Sequence, residues 1–179
     1  RDAQESRGLG DVYKRQKVSN VMIDETALIA VGLVDLDTVK PGLVHYDVGD
    51  CLRSCCNPPG GDAPDLRSVR FDTNLCRAAL EGYFEWAGPF LTPDEIDHFY
   101  DAVRLIAFEL GVRYLTDHLE GDVYFKAARR GRNLFRALVQ FKLTESIELQ
   151  ETAVRAIVRA AASSGFAGRR GRKAFPVRV

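Results

Sequence analysis

The 179-residue chain is 46% hydrophobic and carries 25 basic against 25 acidic side chains, enough for one domain burying roughly two-thirds of its unfolded surface. Zero formal net charge removes any general pull toward nucleic acid or an anionic membrane. The longest apolar run, Ala27 to Val34, is far shorter than the ~20 residues of a membrane span, and Arg1-Asp2-Ala3-Gln4-Glu5-Ser6 lacks the apolar stretch of a secretory signal. A soluble cytoplasmic protein without nucleic-acid or membrane partners is the expectation.

Residues 1–16 are polar, show no helical or strand period, and end in Gly10-Asp11-Val12-Tyr13-Lys14-Arg15-Gln16, which resembles translated junction sequence. With no initiating methionine, they are set aside from the fold as a scar. From Lys17 onward, two short apolar runs flank the polar break Asp24-Glu25-Thr26 and predict a β-hairpin. Pro41-Gly42 marks a turn, and Tyr46 to Cys56 has helical spacing. The stretch Asn57-Pro58-Pro59-Gly60-Gly61-Asp62-Ala63-Pro64 is a surface loop by composition. Cys51, Cys55, Cys56 and Cys76 lack the second knuckle of a zinc site, so reduced, partly buried thiols are expected there.

Beyond the loop the pattern is helical. Asp72 through Trp86 sets Leu75, Ala79, Leu80, Tyr83 and Trp86 on one broad face. Thr92-Pro93-Asp94-Glu95 is a helix start, with a Thr cap, Pro at the first position and Glu closing a capping box. The helix it opens carries Ile96, Phe99, Tyr100, Val103, Ile106, Ala107 and Leu110, and continues through Val112, Tyr114, Leu115 and Leu119 until Gly121-Asp122 breaks it. One last long helix is predicted from about Asn133 to about Ala162. The expected domain spans residues 17–163. The basic end 164–179, with Arg169, Arg170, Arg172, Lys173 and Arg178 and no acid after Gly165, is expected to be a solvated disordered tail.

Phosphoryl transfer from ATP needs oxygen ligands that hold Mg²⁺ beside the phosphates; in the protein-kinase template these are a catalytic-loop Asn and an Asp on the following hairpin. Asn20 opens one predicted strand and Asp35 closes the next, so the hairpin is expected to bring both toward one hard cation. Taken alone, Asn20 is an ordinary turn residue and Asp35 a strand-end cap. Arg113 falls in an apolar helical stretch, where a charge needs a partner; an internal ion pair and a ligand contact both satisfy that need. His45, His98 and His118 are scattered and suggest no nucleophile triad.

The segment Lys17-Val18-Ser19-Asn20-Val21 resembles the second half of the His-x-Asp-x-Lys-x-x-Asn loop of aminoglycoside phosphotransferases, choline kinases and their relatives. Leu33-Val34-Asp35-Leu36-Asp37-Thr38 and Pro41 to Asp50 are similar to their metal-binding segment, nearest to the N-acetylhexosamine 1-kinase branch. The similarity extends through Glu109 to Asp117, Leu119 to Lys126, Asn133-Leu134 and Gln140 to Leu143, covering roughly residues 17–150. It implies a mainly α fold with a small β-hairpin (α+β), the C-terminal lobe of a protein-kinase-like fold whose N-terminal lobe is missing. It also implies ATP as co-substrate with Mg²⁺, and a sugar hydroxyl as acceptor. Residue by residue, Asn20 and Asp35 match the metal ligands and Lys17 the phosphate-binding lysine. Asp47 matches a buried acid that braces the catalytic loop, and Arg113 and Tyr124 match sugar contacts. The base position five residues before Asn20 is Arg15, and the motif His position is Tyr13. A guanidinium stays protonated and cannot take a hydroxyl proton, so no catalytic residue is expected and the literal chain is expected to be inactive. The alternatives are a kinase of another small alcohol, such as choline, homoserine or an aminoglycoside, and a non-catalytic helical remnant.

Overall fold

A computed structural model describes residues 21–24, 26–27, 29–34, 42–127, 129 and 131–168. Strands β1 (Val21–Asp24) and β2 (Ile29–Leu33) pair antiparallel, as the two apolar runs predict. Their turn is held by Asp24, whose Oδ1 accepts from Thr26 N at 2.8 Å and Ala27 N at 2.9 Å. Val21 pairs with Leu33 and Met22 with Gly32, but Ile23 pairs with Ala30, so Val31 is the extra residue of a bulge.

Among the described residues six α-helices follow: α1 (Val44–Cys55), α2 (Thr73–Ala87), α3 (Pro93–Asp97), α4 (Phe99–Leu119), α5 (Arg132–Glu148) and α6 (Glu151–Gly168). α1 packs on α4, α4 on α5, and α2 on α6. Their shared core includes Leu52, Leu80, Phe84, Phe99, Val103, Leu143, Ile147 and Val154, with the Phe84 and Phe99 rings stacked at 5.6 Å. Among the described residues no helix is long and apolar enough to cross a membrane.

Three sequence expectations change in the structure. In α2 the buried stripe is Cys76, Leu80 and Phe84, whereas Leu75 and Trp86 are exposed. The stripe recurs every fourth residue and meets α6, so Leu80 alone represents the expected face at full burial. Asp72 starts this helix, its Oδ1 accepting from Asn74 N at 2.9 Å and Leu75 N at 3.2 Å.

The capping box at Thr92 forms as expected, with Thr92 Oγ1 accepting from Glu95 N at 3.2 Å and Glu95 Oε2 from Thr92 N at 2.7 Å. It opens only the short α3, because the chain turns at His98 before α4 begins. The carbonyls that a continuous helix would give to the amides of His98 and Phe99 take imidazole donors instead. His98 Nδ1 lies 2.6 Å from Asp94 O, and His45 Nε2 lies 2.9 Å from Glu95 O. Two of the scattered histidines therefore close a helix end.

The predicted last helix is two. Ile147 and Val154 stand two helical turns apart, so the apolar period runs unbroken across Leu149 and Gln150. A tertiary contact makes the break: Gln150 Nε2 donates to Phe71 O at 2.9 Å and Ser146 O at 3.0 Å, and Phe71 N donates to Ser146 Oγ at 2.9 Å. α6 then runs to Gly168, past the expected end near Ala162 and into the expected tail.

Candidate functional site

α4 ends in a sharp reversal, with Gly121 at φ 101° and Asp122 at φ 62°, both in the left-handed region. The loop returns to α5, whose first residues follow Gly131 at φ 78°. Asp117, in the last turns of α4, is 4% exposed and organises this loop. Its carboxylate accepts from Tyr124 N at 2.6 Å, Phe125 N at 3.1 Å and Asn133 Nδ2 at 2.8 Å. Fully buried Asn133 also donates to Asp122 Oδ1 at 3.1 Å and Phe125 O at 3.2 Å. One carboxylate thus pins the dipeptide Tyr124-Phe125 to α4 and α5 through charge-assisted hydrogen bonds.

Arg113 lies one helical turn before Asp117, on the same face of α4. Its guanidinium sits 5.7 Å from the Tyr124 ring centre and 5.5 Å from that of Phe125, with Nε 3.7 Å from Glu109 Oε1. The Phe125 ring lies 4.4 Å from Tyr114, and the Arg136 guanidinium lies 5.7 Å from the Tyr114 ring centre. Arg136 and Arg132 each approach Asp62 at 2.9 Å, tying the 57–64 loop to α5. The Arg136 hydrogen bond, then that of Arg132, holds the Asp62 carboxyl below the usual carboxylate range. Burial pushes the Tyr114 phenol up. Tyr124 itself is half exposed, so part of this aromatic residue meets solvent beside the Arg113 guanidinium, whose Nη1 is buried. Such a surface can stack on a flat or polyhydroxylated ligand and donate to its oxygens; it contains no nucleophile paired with a base.

The structure therefore brings together Arg113 and Tyr124, two expected sugar contacts from separate elements. Of the two alternatives for Arg113 the structure shows the ion pair, with Glu109, and places the half-exposed Tyr124 ring beside it. Asp47 differs from expectation. It is exposed in the first turn of α1, because the face packed on α4 is formed by Val48 and Leu52. At that position its charge favours the helix N-terminus. The buried acid of α1 is Asp50, which Arg53 Nε reaches at 2.7 Å while Arg53 Nη1 lies 3.5 Å from Gln140 Oε1 of α5.

Arg15, Lys17, Asn20 and Asp35 lie outside the described residues. Next to them in sequence, Val21 and Leu33 pair at one end of the hairpin. Among the described residues, no group of three or more His, Cys, Asp or Glu side chains could hold a metal ion. Sequence reasoning passed over Asp117 and Asn133 as site residues, although an acid and an amide inside apolar helical stretches are a usable signal for buried polar nodes. No family model matches the chain.

Proposed function

We propose that the chain is the mainly helical lobe of an ATP-dependent small-molecule kinase and that its Arg113–Tyr124 surface receives the sugar acceptor, an N-acetylated hexose. The observation that carries this reading is the meeting of Arg113 and Tyr124 on a loop pinned by Asp117. An aromatic face suits the apolar face of a pyranose, and the guanidinium supplies donors to its oxygens. The fold order supports the same reading, since a two-stranded hairpin precedes the helices.

Mg²⁺ and ATP enter this proposal through Asn20 and Asp35. Amide and carboxylate oxygens suit a hard cation, and the β1–β2 pairing ends beside both positions in sequence. Bound there, the cation would neutralise charge on the transferred phosphoryl group, with Lys17 binding the phosphate. Arg15 at the base position favours a second reading, a helical module that binds acceptor without turnover.

Acceptor binding tests the proposal directly. N-acetylglucosamine or N-acetylgalactosamine titrated into the labelled chain should shift the Tyr124 and Phe125 amides, and Arg113→Ala should weaken binding by about tenfold. Shifts from choline, homoserine or an aminoglycoside, with none from the sugars, would transfer the reading to those alcohols. No shift from any of them would remove it. With ATP and Mg²⁺ the same chain should yield no sugar phosphate, because Arg15 cannot accept the hydroxyl proton; turnover would sink the base assignment.

A further inference from the structure

Apolar side chains surround α4 on two opposite faces. One face is packed, with Val103, Ala107 and Leu110 buried against neighbouring helices. Leu105, Phe108, Val112 and Leu119 lie on the other, each exposing between 40% and 77% of its surface. At about 100° per residue these four positions fall within about 60° of one another around the helix. A helix that is apolar all round belongs inside a larger body. The exposed face continues onto α5. The Phe108 and Phe141 rings lie 5.9 Å apart, and Phe141 rests so closely on Gly111 that an added Cβ there would come within 2.6 Å of its Cε1. Leu138, one turn before Phe141, is 42% exposed. Together these side chains present on the order of 600 Å² of apolar surface. That is the upper end of what a monomer leaves in water and most of the ~800 Å² each partner gives to a stable interface.

We propose that this face of α4 is a self-docking surface, on which a second copy of the chain packs antiparallel about Val112 to form an isologous dimer. The order of residues along α4 carries the choice of partner. Leu105 and Leu119 stand seven residues to either side of Val112, Phe108 and Thr116 four, and Arg104 and Glu120 eight. A two-fold axis through Val112 brings each position onto the one equally far beyond the centre. Leu105 of one copy meets Leu119 of the other, Phe108 meets Thr116, and the two Val112 side chains touch at the axis.

The charges obey the same symmetry. Arg104 and Glu120 lie about 80° to opposite sides of Val112. The two-fold reverses that side together with the helix direction, so Arg104 of one copy faces Glu120 of the other. Glu120 keeps to the helical path, its N donating to Thr116 O at 2.9 Å. Arg104 already lies 3.3 Å from Glu148 of its own chain, and its guanidinium has donors for a second carboxylate. Two such pairs flank the apolar line. Parallel docking would instead set Arg104 against Arg104, a repulsive contact. Opposite charges at equal distances from the centre of an apolar stripe match this helix to itself. The surface is independent of the sugar-kinase reading.

Size-exclusion chromatography with light scattering tests the purified 179-residue chain at increasing concentration. The mass should rise toward twice the 19.9 kDa of one chain. Val112→Glu puts two carboxylates face to face on the axis and should return the mass to that of a single chain; glutamate is a good helix former at an exposed site. Arg104→Glu and Glu120→Arg should each weaken the dimer by about tenfold. Combined in one chain, the two substitutions should regain most of that loss, because the exchanged charges again face each other. A single-chain mass at every concentration would overturn the proposal and leave this face to another segment of chain or an unlike protein. A dimer unmoved by Val112→Glu, or a double variant no tighter than the single ones, would overturn it as well. Circular dichroism checks that the variants fold. If Val112→Glu does not fold, the mass of the wild-type chain and the charge exchange still decide.

Discussion

At Asp117 a single carboxylate answers two loop amides and the side chain of a fully buried asparagine. Each donor left buried without its acceptor costs roughly 1–3 kcal/mol. Asp117→Ala should therefore lower stability by about 3 kcal/mol in urea unfolding, and the Tyr124 and Phe125 amides should lose protection from hydrogen exchange. Arg113→Ala removes a half-buried cation–π partner and should cost only about 1 kcal/mol, so ligand binding and stability separate at these neighbours. Asp62 gives a pH prediction. Its folded carboxyl sits below its unfolded value because of Arg136 and Arg132, so its contribution is present above the unfolded value and lost as pH falls through the folded one. The group is half exposed, and solvent and salt screen it. The stability difference between wild type and Asp62→Asn should be small at neutral pH, fade below the ordinary aspartate range, and shrink in high salt. At this scale the sequence showed that Arg113 needs a partner, because a charge in an apolar helical run must be answered. It did not show Asp117 as the organiser, because its partners are backbone amides seven and eight residues further on, brought back by a left-handed turn.

Helix existence was legible from the apolar period, as from Asp72 onward, and from the capping box at Thr92. Helix ends were not. The stop at His98 depends on His45, which reaches Glu95 O from fifty residues away in sequence, and the stop at Leu149 depends on Phe71. Neither partner leaves a trace in local periodicity. The same limit applies to close helix contacts. A Cβ on Gly165 would lie 2.7 Å from Phe84 O and 2.9 Å from Phe84 C, so α6 approaches the α2 backbone where only glycine fits. Glycine within a helix ordinarily costs about 0.5–1 kcal/mol relative to alanine, so an exposed site would gain from Gly→Ala. Here the obstacle is backbone that cannot rotate aside. Gly165→Ala should lose roughly 1–3 kcal/mol, read as a lowered thermal midpoint, and any increase in midpoint would show that the α2–α6 contact has slack. Gly82, with open space around its added Cβ in the same α2 helix, is the control; Gly82→Ala should stabilise by several tenths of a kcal/mol.

Over the described residues, the mainly helical class with one small antiparallel hairpin follows from apolar patterning, since two short apolar runs about a polar break give way to helical spacing. The two parts differ in what holds them. The helical body shares a core to which all six of these helices contribute, with Leu52, Leu80, Phe84, Ile96, Phe99, Leu143 and Val154 nearly or fully buried. In the hairpin, Met22, Ile23, Ile29 and Val31 each expose about half of their surface, and a two-stranded ribbon alone is marginal in water. Stability should therefore reside in residues 42–168. A chain trimmed to those residues should keep its helical circular dichroism and a thermal midpoint within about 5 °C of the 179-residue chain. In the complete chain, amides of β1 and β2 should exchange orders of magnitude faster than those of α4 and α5. The trimmed chain also separates the two halves of the proposed kinase: sugar-induced shifts at Tyr124 should survive the cut, because Arg113, Asp117 and Asn133 all remain. Loss of the helical signal on trimming would show that the first 41 residues complete the core. Loss of the sugar response with the fold intact would place part of the acceptor site on those residues.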